Sequence, residues 1–222
     1  MPPEPLGRRL AAEALGTALL VATVVGSGIM AERLAGGNGA LALLCNTIAT
    51  GAILVVIVTI FAPLSGAHFN PAVSLVFAIG GELSWTDFAA YVAVQCVGAM
   101  VGVVVAHLMF DLTPLVIGDH ARRGPSQWLS EGVATFALVL TIRGAIRHAP
   151  TMVPWLVALV IVAAYWFTAS TSFANPAVAL ARGFTGSFAG IALGDVPGFV
   201  LAEIVGALVA AGVAAVLFPR RI

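Results

Sequence analysis

"FANPAVALAR", residues 173–182, reads as a loop entering a helix at Asn175. Asn is a good N-cap, and Pro suits the first helical position, where no backbone N–H is needed. The same Asn-Pro-Ala-Val recurs at 70–73, within "SGAHFNPAVSL" (65–75). Each copy adjoins or lies in a long stretch free of Asp, Glu, Lys, Arg and His: 40–67 before the first, 149–181 around the second. A membrane span takes about 20 apolar residues. Each stretch is therefore long enough for a span and the approach to a second, short helix, expected at 70–79 and 175–184. A helix of that length covers about half of a bilayer. Such a half-helix is tolerated in a membrane only where its loose end is buried in protein or lines a cavity.

Composition supports a membrane class. Of 222 residues, 60% are hydrophobic and 9% are charged, and the mean hydropathy is +1.06. A soluble domain carries roughly 25% charge. The net charge is zero, with no basic run or acidic tail, so nothing points to nucleic acid as a partner. Cys45 and Cys96 both lie in apolar stretches and read as buried thiols rather than a disulfide or metal pair. No His or Cys pair has metal-ligand spacing, and no nucleophile–base pair stands out, so an enzyme is not expected and no cofactor is implied. The apolar run after Arg8-Arg9 is too long for a signal peptide and is followed by further spans.

Six full spans are expected: 10–31, the apolar part of 40–67, 88–110, 127–147, the front of 149–181, and 196–219. "SWTD" (84–87) resembles a capped helix start with an interfacial Trp. The chain also repeats itself. Glu13/Thr17 matches Glu131/Thr135, and Gln95-Cys96-Val97-Gly98-Ala99 matches Glu203-Ile204-Val205-Gly206-Ala207. With the two Asn-Pro-Ala copies, this gives one channel domain of two halves, roughly 8–110 and 127–219. Each half reads span, span, half-helix, span. Three full spans are an odd number, so the halves have opposite orientations. This is an inverted repeat, whose interrupted helices mark the functional site.

With the N-terminus inside, Arg8, Arg9, Arg143, Arg147, Arg220 and Arg221 face the cytoplasm, and Arg33, Arg122, Arg123 and Arg182 face outward. This is a small positive-inside bias. The expectation is a multi-pass protein of the plasma or inner membrane with both termini cytoplasmic. The half-helix N-termini then meet near the midplane and place partial positive charge there. The capping Asn side chains add amide donors. Such a site suits a neutral hydroxylated solute and repels a cation.

"SGAHFNPAVSL" (65–75), "NPAV" (175–178), "AAEALGT" (11–17) and "VQCVGA" (94–99) together resemble the major intrinsic protein family, the aquaporins and aquaglyceroporins, over nearly the whole chain. The resemblance implies six tilted helices, two re-entrant half-helices and a pore in each subunit of a homotetramer. Positive half-helix ends are a known barrier to protons and cations in aquaporin-type pores. The motif residues Asn70, Pro71, Ala72, Asn175, Pro176 and Ala177 would line the pore centre. Glu13 and Glu131 would accept hydrogen bonds from backbone N–H groups of the re-entrant loops. His68 would line the inner pore half or pack the loop.

One position departs from the family. Most members carry Arg directly after the second Asn-Pro-Ala, as part of the narrowest ring; here it is Val178. Counting back without gaps assigns the other ring positions to Thr50, Ala163 and Ser172, and a slip of one turn would bring in Tyr165 or Trp166. The ring read this way is small and uncharged. It implies a wide pore for water, glycerol-like polyols and neutral metalloid hydroxides such as arsenous acid. In this it resembles an atypical bacterial branch of aquaglyceroporins linked to arsenical handling, and the short termini agree with a prokaryotic source. The alternatives are a water-selective aquaporin, or a channel that also admits small anionic organic or arsenical solutes through Arg182. A coupled transporter would need a pore-facing titratable group such as Glu13, Glu131 or Glu203. A closed-pore junction protein would not leave small residues in the ring. Arg182, one turn beyond Val178, is expected to reach toward lipid headgroups or to tie the loop, with a charge in the outer vestibule as its other reading.

Overall fold

The computed structural model describes residues 4–219, which form an all-helical bundle without strands among the described residues. In chain order the helices are α1 (Leu6–Leu34), α2 (Gly39–Ser65), α3 (Pro71–Ile79), α4 (Trp85–Met109), α5 (Pro125–His148), α6 (Val153–Phe167), α7 (Pro176–Arg182) and α8 (Val196–Leu217). Single 3-10 turns lead into α6 and α8. Six helices are long and apolar enough to cross a membrane, the turn before α6 counting toward its span. α3 and α7 have only nine and seven residues. Long, long, short, long thus occurs twice. Arg220 and Arg221, two of the arginines used to orient the chain, lie outside the described residues.

Local chemistry explains the starts. Asn38 caps α2 by accepting from the Leu41 N–H at 3.1 Å. Ser84 caps α4 through the Asp87 N–H at 3.0 Å, and Asp87 then accepts from Arg9 at 2.8 Å, joining the first turns of α1 and α4. α7 stops two residues before the expected 184. The Gly183 and Phe184 carbonyls accept from the N–H groups of Gly118 and Val116, at 2.9 and 3.1 Å. That pairing draws the chain out of the helix and into the segment before α5.

Two close helix crossings repeat between the halves. α1 packs on α4 and α5 on α8. A Cβ on Gly98 would lie 2.3 Å from the Ala14 carbonyl, and one on Gly206 would lie 2.2 Å from the Gly132 carbonyl. Only glycine allows backbone to meet backbone this closely, the usual device for packing helices in lipid. These crossings hold α1 and α5 in place, and with them the buried Glu13 and Glu131 that face the half-helices.

Candidate pore and its constriction

The two half-helices meet end to end. Asn70 Oδ1 accepts from the N–H groups of Ala72 and Val73, at 2.9 and 3.4 Å. Asn175 Oδ1 accepts from Ala177 and Val178, at 3.0 and 3.3 Å. Each asparagine amide also donates across the junction: Asn70 Nδ2 to the Ala174 carbonyl and Asn175 Nδ2 to the Phe69 carbonyl, both at 2.7 Å. One hydrogen of each NH2 is used in this brace, and the second is free for a passing oxygen. Both asparagines line one narrow central cavity of about 100 Å³.

The loops leading to the asparagines have left-handed residues at matching places: Ala67 and Phe69 before Asn70, and Ser172 and Ala174 before Asn175. Left-handed backbone costs an ordinary residue roughly 1–2 kcal/mol. Buried carboxylates offset this by gathering the loop amides. Glu13 accepts from the N–H groups of His68 (2.9 Å) and Phe69 (2.6 Å), and Glu131 from Phe173 (2.9 Å) and Ala174 (2.7 Å). Glu13 also accepts from Ser65 Oγ and Gln95 Nε2, at 2.7 and 2.8 Å. Glu203 accepts from the Asn175 N–H at 3.0 Å. The carboxylates thus face loop amides, and none of the three is among the residues lining the cavity.

His68 does line the cavity. It also packs in the loop, with its ring 4.5 Å from that of Phe77 and Nδ1 3.1 Å from Ser74 Oγ. Thr50, Ser172 and Val178 line the cavity as well. Ala163 does not, and that position of the ring is corrected. It lies exposed on α6, whose cavity-facing residues are Val153, Val157, Ile161 and Tyr165. Ala163 is two residues from Ile161 and from Tyr165, about 200° around the helix from each. Tyr165 takes the place, and Trp166 points outward, 49% exposed. The four-residue spacing of Val153, Val157, Ile161 and Tyr165 was the available signal. The Tyr165 hydroxyl lies 3.2 Å from Thr50 Oγ1, which donates to the Asn46 carbonyl at 2.9 Å. Tyr165 is therefore pinned to the α2 wall, and its oxygen remains an acceptor.

Of the expected readings of Arg182, the reach to headgroups is not seen: the side chain is buried at 2% exposure and lines the cavity one turn beyond Val178. Its Nε donates to the Ala189 carbonyl, and its Cζ lies 3.3 Å from the centroid of the Phe173 ring. The wall beside Val178 is thus not uncharged along its whole length. Arg122, which nothing in the sequence singled out for this role, lies 5.2 Å from the same ring. It donates to the carbonyls of Gly190 (2.9 Å) and Ser170 (3.2 Å). Burial pushes the Arg122 guanidinium below its ordinary range, partly countered by Glu131. Among the described residues neither arginine forms an ion pair with a carboxylate side chain. Ser172 Oγ is buried without a hydrogen-bond partner. The part of the cavity beside α7 therefore offers donors at Arg182 and Ser172 and acceptors at Tyr165 and Thr50.

Residues 4–153 match the model of the major intrinsic protein family. The chain belongs to this family. It is 67% identical to aquaglyceroporin AqpS of Rhizobium meliloti over 92% of this chain and 88% of that protein. It is 34% identical to a glycerol uptake facilitator protein of Bacillus subtilis over 45% of this chain and 42% of the relative. Its fold matches the aquaglyceroporin from Plasmodium falciparum with a TM-score of 0.73, covering 97% of this chain and 98% of that one at 20% identity. A major intrinsic protein is a passive membrane channel for small solutes and not an enzyme, and this chain is accordingly a multi-pass membrane protein.

Proposed function

We propose that this channel conducts small uncharged solutes with several hydroxyl groups: glycerol-like polyols and neutral metalloid hydroxides such as arsenous acid, together with water. Its pore runs past Asn70 and Asn175, and its outer constriction is formed by Thr50, Tyr165, Ser172 and Val178. The observation that carries this reading is the mixed wall at that level. Val178 adds an apolar surface without donors, Tyr165 and Thr50 present acceptors, and Ser172 and Arg182 present donors. A solute whose hydroxyls both donate and accept exchanges its water shell for these groups. A cation meets two half-helix N-termini and a guanidinium, all of the wrong sign.

The halves, roughly 8–110 and 127–219, are two inverted units of one channel domain. Both termini are cytoplasmic, in a plasma or inner membrane, which agrees with the positive-inside count. Four copies assemble, each with its own pore. The exposed apolar residues Leu15 and Leu19 of α1 and Ile48, Val56 and Ile60 of α2 supply a side face for that contact.

The buried, carboxylate-free Arg182 favours a second reading, in which small organic or arsenical anions also pass. Solute series in proteoliposomes separate the two. Osmotic shrinkage followed by re-swelling is measured for water, urea, glycerol and larger polyols, and uptake is measured for a weak acid across its titration. Re-swelling with glycerol, together with weak-acid uptake that follows the neutral form, supports the first reading. Uptake that follows the anion supports the second, and no re-swelling with glycerol contradicts the first.

A further inference from the structure

The two halves differ at one buried pair. In the first half, Gln95 of α4 donates through Nε2 to Glu13 at 2.8 Å and to Ser74 Oγ at 3.0 Å. Both amide hydrogens have acceptors. In the second half the repeat puts Glu203 where Gln95 stands, Glu131 where Glu13 stands, and Ala179 where Ser74 stands. Glu203 Oε1 takes the Asn175 N–H, and Glu131 Oε2 takes the neighbouring Ala174 N–H. The two carboxyls are thus seated side by side, on the amides of consecutive residues. Both residues are fully buried. Glu203 Oε2 is buried without a hydrogen-bond partner among the described residues.

Two carboxylates side by side in a dry site are not both ionised, because like charges there repel without screening. We propose that Glu203 is a neutral carboxylic acid whose Oε2–H donates to Glu131, so that it serves the second loop as Gln95 serves the first. The change from Ser74 to Ala179 explains why the residue is an acid and not an amide. An amide brings two donors, and the second would face the Ala179 methyl. A carboxylic acid brings one, and Glu131 accepts it. Glu131 thereby stays anionic and keeps the amides of Phe173 and Ala174, while Glu203 Oε1 keeps that of Asn175. Three successive amides are held by one negative charge. With Arg122 and Arg182 beside Phe173, the outer loop retains a net positive charge, which an ionised Glu203 would cancel. Glu203 is a positioning residue: it acts on the solute through Asn175. The proposal rests on the pore reading for its flux consequence and not for the protonation itself.

Infrared spectra of the protein in liposomes test the protonation independently of transport. Wild type shows the carbonyl stretch of a protonated carboxylic acid, shifted in heavy water, and Glu203→Gln lacks it. No difference in that band between the two overturns the proposal. Glycerol flux tests the placement. Glu203→Leu, which removes both the acceptor and the donor, lowers flux by about tenfold. Glu203→Gln stays within about threefold of wild type, and adding Ala179→Ser, which copies the first half, brings it closer still. Glu131→Gln, which leaves a loop amide without an acceptor, falls further than Glu203→Gln. If Glu203→Gln falls as far as Glu203→Leu, a charged Glu203 is required and the proposal fails. If Glu131→Gln is tolerated while Glu203→Gln is not, the proton sits on Glu131 and the assignment is reversed.

Discussion

Arg182 lies over the face of Phe173, its Cζ 3.3 Å from the ring centroid and its Nε held by the Ala189 carbonyl. The residue before Asn175 by two positions thus carries the guanidinium that the residue after Ala177 lacks. A cation placed over an aromatic face in a desolvated site gains about 2 kcal/mol, and the carbonyl bond fixes its direction. The charge on this side of the cavity is set one turn beyond Val178.

Arg182→Leu should therefore raise sodium leak in proteoliposomes severalfold, with the protein still folded because a long apolar side chain fills the same space. Arg182→Lys should restore most of the exclusion, since it keeps the charge and loses the stacked plane. An unchanged leak in Arg182→Leu would show that the half-helix N-termini alone exclude cations.

The reciprocal brace between Asn70 and Asn175 leads to a stability prediction. Asn70→Ala and Asn175→Ala each remove a helix cap, at about 1 kcal/mol, and a cross-junction hydrogen bond, at about 1 kcal/mol. Because the two braces join the same pair of loops, the double variant should lose less than the sum of the single losses. Thermal unfolding in detergent measures all three. Additive losses would mean that the loops are held independently.

Cys45 and Cys96 are free thiols but not the buried ones expected: Cys45 is exposed on the flank of α2 and Cys96 is half-buried on α4, and neither lines the cavity. Conduction should resist mercurial reagents from either side of the membrane. A block that is reversed by thiols and lost in Cys45→Ser would place that face of α2 in the solute path.

Much of this was legible from residues alone, and the failures have a common physical cause. Asn-Pro-Ala after a charge-free run states where a helix starts, because capping is local chemistry. Glu13 and Glu131 were legible because a buried carboxylate in a span needs donors, and the loop amides need acceptors. Ala163 was misplaced because counting back from Asn175 crosses residues 168–175, which are not helical and include left-handed residues at Thr171, Ser172 and Ala174. Helical phase does not carry through such a segment. Tyr165 is reached only by phasing α6 on its own residues. The burial of Arg182 depends on Ala189 and Phe173, brought to it by loops whose course no periodicity describes.

The central claim is that solutes larger than water pass because Val178 leaves room opposite Tyr165 and Thr50. The direct measurement is stopped-flow light scattering of proteoliposomes in glycerol, wild type against Val178→Arg, with water permeability recorded on the same vesicles. A second guanidinium at that level narrows the pore, and a barrier higher by about 1.4 kcal/mol slows passage tenfold. Glycerol re-swelling should fall by about tenfold or more while water permeability falls far less. Glycerol re-swelling that is unchanged in Val178→Arg would contradict the account and place the limiting constriction elsewhere in the pore.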